Sequence, residues 1–131
     1  MEAGSRIGVL VADDDDDFLG LVTEYLSRDG FEVVGSAGDA AETVRLAGES
    51  RPDAALVDVN MPGGGARTVV EKLRDESPST AIVILSGLEE DSLVRALLRD
   101  GAIAYMLKGA SREEITDTVR RAVDAHRRVS S

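Results

Sequence analysis

A chain of 131 residues, 43% apolar and 31% charged, has the size and composition of one folded domain with a buried core, here expected over residues 1–131. Aromatics at 3% make that core aliphatic, and the lack of cysteine excludes disulfides and thiolate chemistry. Net charge −10 argues against nucleic acid as a direct partner, and no apolar run approaches the roughly 20 residues that span a bilayer; with no signal peptide in residues 1–6, a cytoplasmic chain is expected.

Residues 6–12 (Arg-Ile-Gly-Val-Leu-Val-Ala) form a short apolar run and read as a buried strand. Five aspartates, Asp13 to Asp17, follow it. Phe18, Leu21, Val22, Tyr25 and Leu26 then recur at the spacing of one helix face, which Asp29 and Gly30 end. Residues 31–36 read as a second strand, and Asp39 caps a helix carrying Val44 and Ala47. Residues 54–58 (Ala-Ala-Leu-Val-Asp) form the central strand, and Asn60, Met61, Pro62, Gly63, Gly64 and Gly65 follow as a flexible turn. Ala66, Val69, Val70 and Leu73 mark the next helix, stopped near Ser77 and Pro78. Residues 81–85 are a fourth strand ending at Ser86 and Gly87, and residues 89–99 a helix with Leu93, Ala96 and Leu97 inward. Residues 103–107 are a fifth strand ending at Lys108. Ser111 and Glu114 form a capping box that opens a last helix with Ile115, Val119, Ala122 and Val123 on one side. Strands alternating with helices through short loops specify an α/β fold with a parallel sheet covered on both faces.

The carboxyl ends of parallel strands share one edge, where open α/β folds place their ligands. That edge collects Asp13, Asp14, Asp58, Ser86 and Lys108. Three carboxylates close together repel and need compensation. An oxygen-only set suits Mg²⁺ or Mn²⁺. Asp58 would then be the nucleophile of an aspartyl phosphate, with Ser86 and Lys108 on the phosphoryl oxygens.

On these residues the chain resembles the receiver domain of bacterial two-component response regulators. The acidic pair, Asp58 ahead of Asn60, Met61 and Pro62, then Ser86 and Lys108 fall in register, with 44 residues from Asp14 to Asp58 and 22 from Ser86 to Lys108. The stretch 104–114 looks like receivers of the LuxR-type DNA-binding subfamily. The resemblance implies a flavodoxin-like, doubly wound five-stranded sheet in the order 2-1-3-4-5 with five helices. It implies a phosphorylation-controlled switch that accepts a phosphoryl group from a sensor histidine kinase. The domain would be no enzyme in the ordinary sense, since it catalyses only its own phosphorylation and dephosphorylation. Asp14 and Asp58 would bind the metal by side chains, Asn60 by its backbone carbonyl, and Asp13 largely through water. Lys108 would pair with the phosphoryl group or with Asp58. Ser86 would swing toward the phosphoryl oxygens and Tyr105 rotate inward with it. The fourth helix, fifth strand and fifth helix would form the output face and the contact of a homodimer. A DNA-binding output domain would lie outside this chain, which is either excised or stand-alone.

Ser86 stands where Thr is commoner, and Gly109 follows Lys108 where many members carry proline, leaving the isomer of that peptide open. Leu88 takes a position often polar in the family and is expected to shield the phosphoryl group from water. Asp13, Asp15, Asp17 and Glu24 also fit a calcium loop, but Phe18 occupies its obligatory glycine position. The other acids of the run read as a helix cap and first-turn charges. Arg120, Arg121, Arg127 and Arg128 read as helix-end cations ahead of a partner surface, and His126 is assigned no role. Two other functions compete. A phosphatase of the haloacid dehalogenase type wants an acid at position 60, where Asn60 stands. A phosphorylation-independent interaction module would leave all five site positions without a purpose.

Overall fold

The structure is a computed structural model that describes residues 6–87 and 92–130. Leu88 and the first turn expected of the fourth helix lie outside the described residues. The described elements alternate strictly. They are β1 (Gly8–Ala12), α1 (Asp16–Arg28), β2 (Glu32–Ala37), α2 (Ala40–Ser50), β3 (Ala54–Asp58), α3 (Gly65–Glu76), β4 (Ala81–Ser86), α4 (Ser92–Asp100), β5 (Ala104–Leu107) and α5 (Arg112–Ser130). All strand pairs are parallel, in the order β2-β1-β3-β4-β5. This is the expected doubly wound α/β fold.

Burial follows from that order. The three inner strands β1, β3 and β4 are buried along their whole length, as their unbroken apolar runs require. The edge strands β2 and β5 are only partly covered. Alternate residues of each inner strand feed two separate cores. Leu10, Val57 and Ile84 pack with Ala47, Val69, Leu73 and Leu97 of α2, α3 and α4. Val9, Leu56 and Val83 pack with Val22, Leu26, Val119 and Val123 of α1 and α5. No described helix is long and apolar enough to cross a membrane.

The caps place the helix starts. Asp15 accepts from the amides of Asp17 and Phe18, and Asp39 from that of Glu42. The capping box is reciprocal: Ser111 N donates to Glu114 Oε1 at 2.8 Å and Glu114 N to Ser111 Oγ at 3.1 Å. Hydrogen bonds to the carboxylate from the Ser111 backbone N–H and from the Ser111 side chain hold the Glu114 carboxyl below its ordinary range. His126 Nε2 lies 2.9 Å from Pro78 O, so it helps dock α5. The late arginines serve their own fold, Arg120 on Asp29 O and Arg127 on Asp53, with Arg121 and Arg128 paired to Asp117 and Asp124 one turn earlier.

Two expectations need correction. Leu21 is 46% exposed, because Val22 and Leu26 already fill the space between α1 and the sheet. The glycine turn after β3 has a defined left-handed geometry. Gly63, Gly64 and Gly65 have φ of 87°, 105° and 64°, and Gly64 is the N-cap of α3. A Cβ on Gly64 would lie 2.1 Å from Thr68 Oγ1. Pro62 O accepts from Ala40 N at 3.0 Å, tying this turn to α2.

The two kinds of glycine predict opposite outcomes. Gly20 is exposed inside α1 with nothing near its missing Cβ. Gly20→Ala should stabilise the protein by about 0.5–1 kcal/mol. Gly64→Ala should destabilise it by more than about 1 kcal/mol. Urea denaturation of the two variants beside wild type measures both.

Candidate functional site

Sheet register assembles the site. Ala12 pairs with Val57, so Asp13 and Asp58 come level one residue further on. Asp58 pairs with Leu85, and Ser86, buried at the end of β4, pairs with Leu107. Lys108 follows at once, its amide donating to Ser86 O at 2.9 Å. The Lys108–Gly109 peptide is trans, since the described residues hold no cis bond.

The charges are tightly coupled. Asp13 is fully buried, and its Oδ1 accepts from Asp15 N at 2.9 Å. Its Oδ2 lies 2.7 Å from Lys108 Nζ and has no other partner of regular hydrogen-bond geometry. The same ammonium is 3.9 Å from Asp58 Oδ1. The expected pairing of Lys108 with Asp58 is therefore the longer of two contacts, because the fully buried carboxylate is the more costly to leave uncompensated. Burial pushes the Asp58 carboxyl above its ordinary range, and the charges of Asp13 and, more weakly, Asp14 push it further. Lys108 and a hydrogen bond from the Asn60 backbone N–H only partly offset this. Burial works against the charge on Lys108, yet its bond to Asp13 and the two acids outweigh that and raise its pKa.

Asp13, Asp14 and Asp58 can each offer one oxygen, all within 4.8 Å of one another. These hard oxygen donors, with Asp13 Oδ2 short of regular partners, fit a small divalent cation. They are the one such group among the described residues, and Asp15 is spent on its cap, which removes the calcium-loop reading of the acid run.

Asn60 is exposed in the turn after β3. Tyr105 is apart from the acids, 43% exposed on β5, beside an open groove lined by Gly87, Met106, Leu107 and Gly109. One neighbour of the site escaped the sequence reading. The Phe18 ring centroid is 4.9 Å from Lys108 Nζ, whereas helical spacing marked Phe18 only as core. Its position in the first turn after the acidic pair is the signal that was available.

Residues 9–120 match the family described as the response regulator receiver domain. The chain belongs to that family. GacA, a response regulator of Pseudomonas aeruginosa, is 37% identical over 125 residues, covering 95% of this chain and 58% of the relative. The transcriptional regulatory protein LiaR of Bacillus subtilis is 33% identical over 117 residues, covering 88% and 56%. The solved signal receiver domain of NarL from Mycobacterium tuberculosis superposes with a TM-score of 0.87 at 31% identity, covering 92% of this chain and 98% of that one. This receiver thus spans little more than half the length of the curated relatives it matches. Its function is that of the receivers of two-component systems, a phosphorylation-controlled signalling switch; neither the phosphatase nor the phosphorylation-independent module is favoured.

The raised Asp58 carboxyl has a thermodynamic sign. A folded-state pKa above the unfolded one gives stability that is present below the usual 3.8 and lost as pH rises through the raised value. Asp58→Asn in the presence of a chelator should therefore raise Tm at pH 7 by a few degrees, and the gain should vanish near pH 3. Thermal unfolding at the two pH values measures it.

Proposed function

We propose that Asp58 is the phosphoacceptor of this receiver and that a sensor histidine kinase is the donor. The carrying observation is a nearly buried carboxylate, level with a second acid and within reach of one ammonium, at the carboxyl edge of a parallel sheet. An Asp58 carboxylate oxygen attacks the phosphorus of a phosphohistidine. The new O–P bond forms as the P–N bond breaks, and the imidazole leaves. Burial and the Asp13 charge disfavour the negative charge on Asp58, so this environment favours converting it to an acyl phosphate when the new charge is compensated.

Mg²⁺ or Mn²⁺ would be held by the Asp14 and Asp58 carboxylates and the Asn60 backbone carbonyl, with Asp13 acting largely through water. When bound, the ion supplies neutralisation of the phosphoryl oxygens. Lys108 binds one of those oxygens as a point charge, and Ser86 donates its hydroxyl to another. With Ser86 drawn toward the phosphoryl group, Tyr105 rotates in from its exposed position. That biases the face built from α4, β5 and α5, the proposed surface for an output partner or a second copy. The domain thereby catalyses its own phosphorylation and its return to the free carboxylate. The relatives named as transcriptional regulators support an output domain that binds DNA, beyond the 131 residues described by this sequence.

Acetyl phosphate with Mg²⁺ should add one phosphoryl group, seen as a single mass increment by intact-mass spectrometry. Asp58→Asn and a chelator should each abolish it. A variant lacking Asp58 that still acquires the increment would overturn the assignment.

A further inference from the structure

Lys108 Nζ is enclosed by two groups from the same short segment. Asp13 Oδ2 lies 2.7 Å from it, and the Phe18 ring centroid lies 4.9 Å away. Those two groups are themselves linked. Asp13 Oδ1 accepts from Asp15 N at 2.9 Å. Asp15 Oδ1 in turn accepts from Phe18 N at 3.3 Å and from Asp17 N at 3.0 Å. The contacts close on themselves, from Lys108 through Asp13 and Asp15 to Phe18 and back to Lys108. Three aspartates of the acid run thus carry distinct duties. Asp13 holds the ammonium, Asp14 joins the oxygen cluster, and Asp15 caps the helical turn that carries Phe18.

We propose that Phe18 is a positioning residue for Lys108, its ring face holding the ammonium beside the acids so that the charge is in place for the phosphoryl group. A lysine side chain is a flexible stem with a strongly hydrated head, so its charge is useful at a fixed point only when other groups restrict it. An aromatic face attracts a cation through its quadrupole, and more strongly where water is excluded. Phe18 is half-buried against the α1 and α5 core, so its backbone and its ring are both anchored. Lys108 is left only 27% exposed and stays 3.9 Å from Asp58 Oδ1. Loss of the quadrupole would let the ammonium sample solvent, weakening its hold on the transferring oxygens without altering the acids.

The inference rests on Asp58 being the phosphoacceptor for its kinetic part alone. The contact itself is tested without phosphorylation. In chelator, urea denaturation of Phe18→Leu, Lys108→Met and the double variant should show non-additivity, with Phe18→Leu costing less once Lys108 is gone. Strictly additive effects would overturn the contact. For the kinetic part, phenylalanine at position 18 is replaced by tri- and pentafluorophenylalanine, which keep the shape and drain the ring face of negative charge. Single-turnover phosphorylation by acetyl phosphate should slow stepwise along that series, reaching about 2- to 30-fold, with Phe18→Trp holding the wild-type rate. A pentafluoro variant that reacts as fast as wild type would overturn the positioning role. Wild-type protein that takes no label would fail the reading of Asp58 while leaving the denaturation result standing.

Discussion

Everything at the carboxyl edge of this sheet depends on one unfavourable fact. Asp13 and Asp58 come level on neighbouring strands, both buried, with Asp14 beside them. Burial raises the cost of ionising Asp58, and the neighbouring acidic charges add to it. A single ammonium from the far side of the sheet offsets part of that cost, reaching over the ends of β4 and β3 to Asp13. The fold tolerates the arrangement because its aliphatic cores lie on both faces below the edge. The edge is a local loss of stability held within a stable frame, as functional sites often are.

That strain suits a switch. Asp58 is poised so that its own charge is disfavoured in the folded protein. A modification or ligand that redistributes charge at this point changes the balance among Asp13, Lys108 and Asp58, which are all within one contact of each other. Lys108 and Ser86 belong to strands β5 and β4 or their ends, and Lys108 N is bonded to Ser86 O. Lys108 thus links the acid cluster to the end of β5, the strand on which Tyr105 lies at the surface.

The turn between β3 and α3 contributes rigidity to the same edge. Three successive glycines with positive φ allow the chain to leave Asp58 and start α3 within a few residues. Asn60 donates its backbone N–H to Asp58, and Pro62 O accepts from the first amide of α2. The Asp58 carboxylate therefore sits on a strand end whose exit is fixed on both sides.

The sequence by itself determined the element order, the parallel sheet and the identities at the strand ends. The reason is that period and capping are local: unbroken apolar runs mark the inner strands, and Asp39 and Ser111 with Glu114 announce their helices. The strand order was legible through the resemblance, because five positions occupied by aspartate, serine and lysine at fixed spacing leave little freedom. What only the tertiary structure decided is which partner each charge takes. Lys108 favours Asp13 over Asp58, Phe18 packs on the core and also faces the Lys108 ammonium, and Leu21 faces out from a stripe read as inward. Those outcomes depend on distances between elements remote in sequence and on which of two acids is the more deeply buried, and neither quantity is carried by local pattern.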